Sequence, residues 1–194
     1  MPFEFVAGNP ALDFVNTVHN HGAGDPEDDL QAWPDLLQWG RESGLLSPGE
    51  SEALFHVEQA RARKRLRAAL ELRETVFEMF DAAAHGNSAP AEVMAQFNGY
   101  LAVALSRLQV DRKRGGYRMA WRAGSDPGER MLGEIVRAAA ELLTSEKLER
   151  VRECAGESCT WLFLDTSRNG KRRWCDMQAC GNRAKVRRYR QRAG

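Results

Sequence analysis

Apolar positions recur every three or four residues over most of this 194-residue chain and switch to every second residue in two places. FEFVAGNPALDFVNTV (3–18) has two apolar stretches around Gly8-Asn9-Pro10, an extended start followed by a strand or a helix that periodicity alone does not separate. HNHGAGDPEDD (19–29) reads as a polar, Gly-rich loop. Pro34 opens a short helix with Leu36, Leu37 and Trp39 on its apolar side and Gly44 as its stop. Ser47-Pro48-Gly49-Glu50 carries the capping-box pattern. Leu66, Leu70, Phe77 and Phe80 then extend a predicted single helix to about Ala84, stopped at His85-Gly86. A further helix begins at Pro90 and buries Val93, Phe97, Leu101 and Leu105. Leu108 and Val110 alternate before RKRGG, and Tyr117, Met119 and Trp121 alternate after it, the pattern of a hairpin. Asp126-Pro127-Gly128-Glu129 caps the next helix, whose stripe is Leu132, Ile135, Val136, Ala139 and Leu142.

With 43% hydrophobic residues and five tryptophans the chain can bury a genuine core. No apolar run approaches the roughly 20 residues needed to cross a bilayer. The N-terminus lacks the basic and apolar regions of a secretory signal, so the expected location is cytoplasmic. No Ser/His/Asp, Cys/His or phosphate-loop constellation is visible, and no enzymatic role is expected. His19 and His21 form an H-x-H pair without a carboxylate pattern and read as solvated loop histidines. Asp13 and Asn16 interrupt an apolar segment, either lining a ligand pocket or capping local backbone.

The net charge of +1 hides a division. From Val151 to Gly194 there are 11 Lys/Arg against 4 Asp/Glu, a balance of +7, while residues 1–150 hold 17 against 23, a balance of −6. An acidic body with a basic end points toward nucleic acid. The basic run ARARKRLRAA (60–69) inside the acidic body reads instead as a solvated helix face balanced by Glu71, Glu74 and Glu78.

The basic end also holds all four cysteines, Cys154, Cys159, Cys175 and Cys180, spaced C-x4-C-x15-C-x4-C. Four soft donors on two short loops suit a closed structural zinc site, one ion per chain; isolated thiols or a disulfide pair are the competing readings. Within the x15 segment, Trp161–Phe163 reads as one strand, Asn169-Gly170 as a turn and Arg172-Arg173-Trp174 as a returning strand, with a helix from about Gln178.

The sequence CGNR at Cys180–Arg183, preceded by DTSRN and RRWC, resembles the CGNR zinc finger family. LDFVNT (12–17) and WPDLLQWGRESGLL (33–46) resemble the ABATE domain usually found with it, a family named for stress-induced transcription regulation. The resemblance implies zinc on the four cysteines and a role in DNA-linked regulation.

In the terminal helix Arg183, Arg187 and Arg190 share one face, and Lys185, Arg188 and Arg192 another, with Val186 and Tyr189 expected to pack on the hairpin. Arg168, Lys171, Arg172 and Arg173 widen the positive patch. Four thiolates and a zinc ion together reduce the balance of +7 to about +5. Asn182 is placed either to read a base or to bond backbone, and Gly181 to allow close packing near the metal.

The expected fold is α+β and mostly helical. Residues 1–150 form an ABATE-like helical regulatory domain with a small β-hairpin, folded on its own, and 151–194 a zinc-pinned β-hairpin and helix of the CGNR type. The expected function is a DNA-binding transcription regulator whose body senses a small-molecule effector, dimerises or contacts a partner. An RNA-binding module, a protein-docking finger and a zinc–thiolate redox sensor are the alternatives.

Overall fold

The computed structural model describes residues 3–21 and 26–193. Seven α-helices occur among them: α1 Pro10–Val15, α2 Trp33–Glu42, α3 Pro48–Phe55, α4 Gln59–Ala84, α5 Ala91–Ser106, α6 Pro127–Leu143 and α7 Asn182–Ala193. Three antiparallel two-stranded sheets accompany them: β1 Val18–His19 with β2 Glu27–Asp28, β3 Leu108–Lys113 with β4 Gly116–Trp121, and β5 Val151–Glu153 with β6 Leu162–Leu164. The α+β, mostly helical expectation holds. Part of the loop expected over 19–29, residues 22–25, lies outside the described residues.

The undecided first segment is a helix. Asn9 caps it, with the Ala11 N–H donating to Asn9 Oδ1 at 2.8 Å, and Pro10 supplies the fixed φ of a first helical residue. The helix expected from Ser47 to Ala84 is broken between Phe55 and Gln59. The capping box forms, with the Glu50 N–H donating to Ser47 Oγ and the Ser47 N–H to the Glu50 carboxylate. At its end the Leu54 carbonyl accepts from the Val57 N–H at 3.4 Å, a tightened last turn, and also from the Trp33 indole of α2 at 2.9 Å.

The core lies between α1, α4 and α6. Leu12 and Phe14, then Ala69, Leu72, Val76 and Phe80, then Met131, Ile135 and Ala139 are essentially fully buried. Phe14 meets the Trp39 ring at 5.0 Å between centroids. One expected core position, Leu105, points outward and is exposed, while Leu66 is partly buried and packs against the core. The β3–β4 hairpin approaches α6 at Gly133, where any Cβ would stand 2.2 Å from the Trp121 ring. The Trp121 indole then donates to Glu134 at 2.6 Å.

Arg73 on α4 is buried and holds the loop before α2. It donates to Asp28 Oδ1 and Oδ2 at 2.8 and 2.6 Å and to Thr17 Oγ1 at 3.0 Å. That guanidinium holds the Asp28 carboxyl below its usual range, although burial works the other way.

The same apolar core continues past residue 150. Val151, Leu162 and Phe163 are fully buried and Trp161 and Leu164 nearly so, packed with the helical residues. Backbone joins the two parts as well: the Leu164 N–H donates to the Ala7 carbonyl at 2.8 Å.

Candidate metal centre and nucleic-acid surface

Strands β5 and β6 pair in the register Val151↔Leu164, Arg152↔Phe163 and Glu153↔Leu162, and the loop joining them carries Cys154 and Cys159. The Cys154 N–H donates to the Trp161 carbonyl at 2.9 Å, closing the loop, and the Cys159 N–H bonds the Gly156 carbonyl at 3.2 Å. Gly156 is a site residue that sequence reasoning missed. A Cβ there would lie 3.0 Å from the Cys159 Cβ, and 3.4 and 3.5 Å from the Cys180 and Cys154 sulfurs, so the first loop packs tightly against the cluster. Its place two residues after the first cysteine was the available signal.

The second pair is presented by a different device. Asp176 caps a single π-helical turn, Met177–Gly181, with the Ala179 N–H on Asp176 Oδ1 at 2.7 Å. This wide turn carries Cys180 back to 3.6 Å from the Cys175 sulfur, and Cys159 stands 3.7 Å from Cys175. Zinc–sulfur bonds of about 2.3 Å in a tetrahedron place the sulfurs about 3.8 Å apart. All four sulfurs lie within 4.8 Å of one another, so the donor set fits the ion.

The protonation balance of the bare thiols fits it too. Hydrogen bonds from the Cys159 and Cys175 thiols hold Cys154 down to about 2, with the Cys175 N–H adding to them at 3.3 Å. The two donors pay for this: Cys159 is pushed up to about 12, and Cys175 is raised as well, each by its bond to Cys154. Four thiolates this close together repel one another, and a bound cation offsets that repulsion. When bound, zinc supplies a closed four-thiolate cross-link with no position left for substrate.

The expected hairpin partner is different. β6 pairs backward with β5, not forward with Arg172–Trp174. The intervening residues are organised by Asp165, which is buried and accepts from the N–H groups of Ser167 at 2.8 Å and Arg172 at 3.0 Å. Asn169-Gly170 is a turn, with Gly170 at φ +63, but it feeds no strand.

The cations divide into two sets. Arg172 belongs to the interior framework. Its guanidinium lies 4.4 Å over the Phe163 ring and donates to the carbonyls of Val6 at 2.9 Å, Trp174 at 3.0 Å and Cys175. Arg183 donates to the Cys180 sulfur at 3.1 Å, and Arg187 pairs with Glu157 in the first cysteine loop. Arg168, Lys171, Arg173, Lys185, Arg188 and Arg190 are exposed and form no ion pair among the described residues. The Arg192 side chain lies outside the described residues. Val186 and Tyr189, expected against the hairpin, are 50% and 74% exposed. Asn182 is exposed and makes no side-chain hydrogen bond among the described residues. Gly181 is closely packed, and a Cβ there would stand 2.5 Å from the Met177 sulfur.

A profile described as "Putative stress-induced transcription regulator", the ABATE family, matches residues 8–146, and the CGNR zinc finger profile matches 150–193. The chain belongs to the ABATE family. No curated protein matches it in sequence. The junction between the two matches falls where the charge changes sign, yet the ABATE part and the finger share one core.

Asn16, within the LDFVNT segment of the ABATE domain, makes that sharing specific. Its amide spans the Leu162 backbone, Nδ2 donating to the carbonyl and Oδ1 accepting the N–H, both at 2.9 Å. Asp13 accepts the Ala7 N–H at 2.9 Å, and burial pushes its carboxyl up to about 6 against that bond. Both side chains are therefore committed to backbone, Asn16 to the finger's own strand. His19 pairs with Asp29, while His21 stacks on Phe77 and meets Glu74 at 2.9 Å, so the two imidazoles have separate partners. Among the described residues no helix is long and apolar enough to cross a membrane.

In the CGNR finger, Arg183 stands beside a ligand sulfur and stays protonated, its charge favoured by the bond to Cys180. Groups that bond metal ligands typically change metal affinity 10–100-fold. Arg183→Ala is accordingly expected to weaken zinc binding about tenfold in a chelator competition. Arg183→Lys should recover part of the loss, and Arg188→Ala should leave zinc affinity unchanged.

Proposed function

We propose that this ABATE protein is a non-catalytic transcription regulator that binds duplex DNA through its CGNR finger, with the body receiving a ligand or partner signal. The observation carrying this reading is α7. It is about 18 Å long by helical rise, and none of its described side chains is buried. A helix of 12 residues without a packed face is marginal alone in water. Lys185, Arg188 and Arg190 supply charge for phosphates, and exposed Val186, Tyr189 and Asn182 can meet base edges or sugars. Zinc has a structural role: it anchors the first turn of this helix to the core.

Fluorescence anisotropy with duplex DNA over a salt series tests the reading. About four to five phosphate contacts give a slope of log K against log[salt] of about −4, at roughly −0.9 per contact. Glu157 competes with DNA for Arg187. Glu157→Gln is expected to tighten binding roughly threefold at low salt and to steepen the slope by about one unit. Failure of the zinc-loaded protein to bind duplex DNA at low salt refutes the proposal, and tighter binding to a structured RNA would transfer the surface to RNA.

A further inference from the structure

A cavity of about 320 Å³ opens between α2, α4 and the start of α6. Trp33, Leu36, Met131 and Leu132 make much of it apolar. The α4 side is different: Arg61, Lys64, Arg65 and Ala68 line it at i, i+3, i+4 and i+7. These cations come from the run expected to be a solvated face balanced by Glu71, Glu74 and Glu78. Most of the run is exposed, but its acidic partners are not those three glutamates. Arg65 bonds Asp126, the cap of α6, and Arg61 stands 3.7 Å from the same carboxylate. Glu74 is taken by Arg73 and His21.

The charges around the cavity do not cancel. Asp126 already accepts the Gly128 and Glu129 N–H groups, at 3.0 and 3.2 Å. Glu129, the other carboxylate at the rim, is paired outward with Arg107. One carboxylate therefore faces three cations, an excess of two positive charges. The Arg65 side chain is only 16% exposed. Its buried Nη1 has no acceptor among the described residues, although the guanidinium itself is paired with Asp126 through Nη2. Volume, apolar wall and convergent polar groups are those of a small-molecule site.

We propose that this cavity binds a small amphipathic carboxylate, a medium-chain or arylalkyl acid, with its carboxylate held by Arg61 and Lys64 at the cavity mouth and its apolar body against Trp33, Leu36 and Leu132. The acid head offsets the excess charge, while the tail removes apolar wall from water. The inference deepens the reading of the body as a sensor and rests on it. Helix α4 carries this cavity in its first turns and packs on β5 farther along, next to the metal centre.

Calorimetric titration of the full-length, zinc-loaded protein tests it with octanoate, 1-octanol and inorganic phosphate as probes. Octanoate is expected to bind one to one, at least tenfold tighter than 1-octanol, with no measurable binding of phosphate. Arg61→Gln/Lys64→Gln should weaken octanoate at least tenfold. Because that variant also loses the Arg61 contact with Asp126, Ala68→Phe provides a second test that fills the cavity from the wall and leaves every charge in place. It should abolish octanoate binding with the thermal midpoint preserved. Equal affinity for octanol and octanoate, phosphate binding as strong as octanoate, full binding by Ala68→Phe, or no octanoate binding at millimolar concentration would overturn the proposal. DNA affinity of the same ligand-free sample is read separately, so the failure of this site and the failure of the DNA reading are distinguishable.

Discussion

Cys175→Ser is expected to lose zinc and to unfold more than the finger. Its sulfur neighbours those of Cys159 and Cys180, and its N–H bonds that of Cys154, so one substitution removes a ligand from the middle of the cluster. Structural zinc is worth on the order of 10–16 kcal/mol in finger peptides, against a total domain stability of about 5–15 kcal/mol. The loops it closes hold Trp161, Leu162 and Phe163 in the shared core. Elemental analysis should find one zinc per wild-type chain and almost none in the variant. Near-UV dichroism should collapse, and the melting transition of the ABATE part should fall with it. A metal-free variant with an ordered finger would contradict the zinc assignment.

Truncation after Arg150 is expected to leave a molten body, reversing the expectation from sequence that residues 1–150 fold alone. The cut removes Val151, Trp161, Leu162, Phe163 and Leu164, all buried. At about 1.5–3 kcal/mol for each large apolar side chain, the loss is on the order of 10 kcal/mol, comparable to the whole stability of a domain. It also leaves Asn16 buried with neither of its Leu162 partners. Far-UV helicity should persist while near-UV dichroism and cooperative melting disappear. A cooperatively melting fragment would show that the body is an independent folding unit after all.

Much of this architecture was legible because it rests on local rules. The caps at Ser47 and Asp126, the β3–β4 hairpin and the four ligands follow from residue type and spacing alone. What was hidden depends on partners distant in sequence. Trp33 bonds the last turn of α3 from another helix, and Asn16 reaches a strand 146 residues away. The basic run on α4 is largely exposed, as its pattern indicates, but its link to Asp126 and its place beside the cavity come only from folding. The terminal arginines read as one cationic surface, yet Arg172, Arg183 and Arg187 are each engaged by the finger itself. Spacing shows which side chains share a helix face; it does not show which of them the fold has already used.

If the exposed cations of a zinc-anchored α7 contact DNA phosphates, salt slopes compared at constant zinc content will show it. Arg188→Ala/Arg190→Ala removes two exposed charges that have no partner among the described residues and touches no metal ligand. With one zinc per chain and an unchanged melting temperature, this variant should bind duplex DNA with a slope shallower by about two units than the wild-type protein. An unchanged slope and affinity in the zinc-loaded double variant would contradict the claim, because DNA would then be held by some other surface.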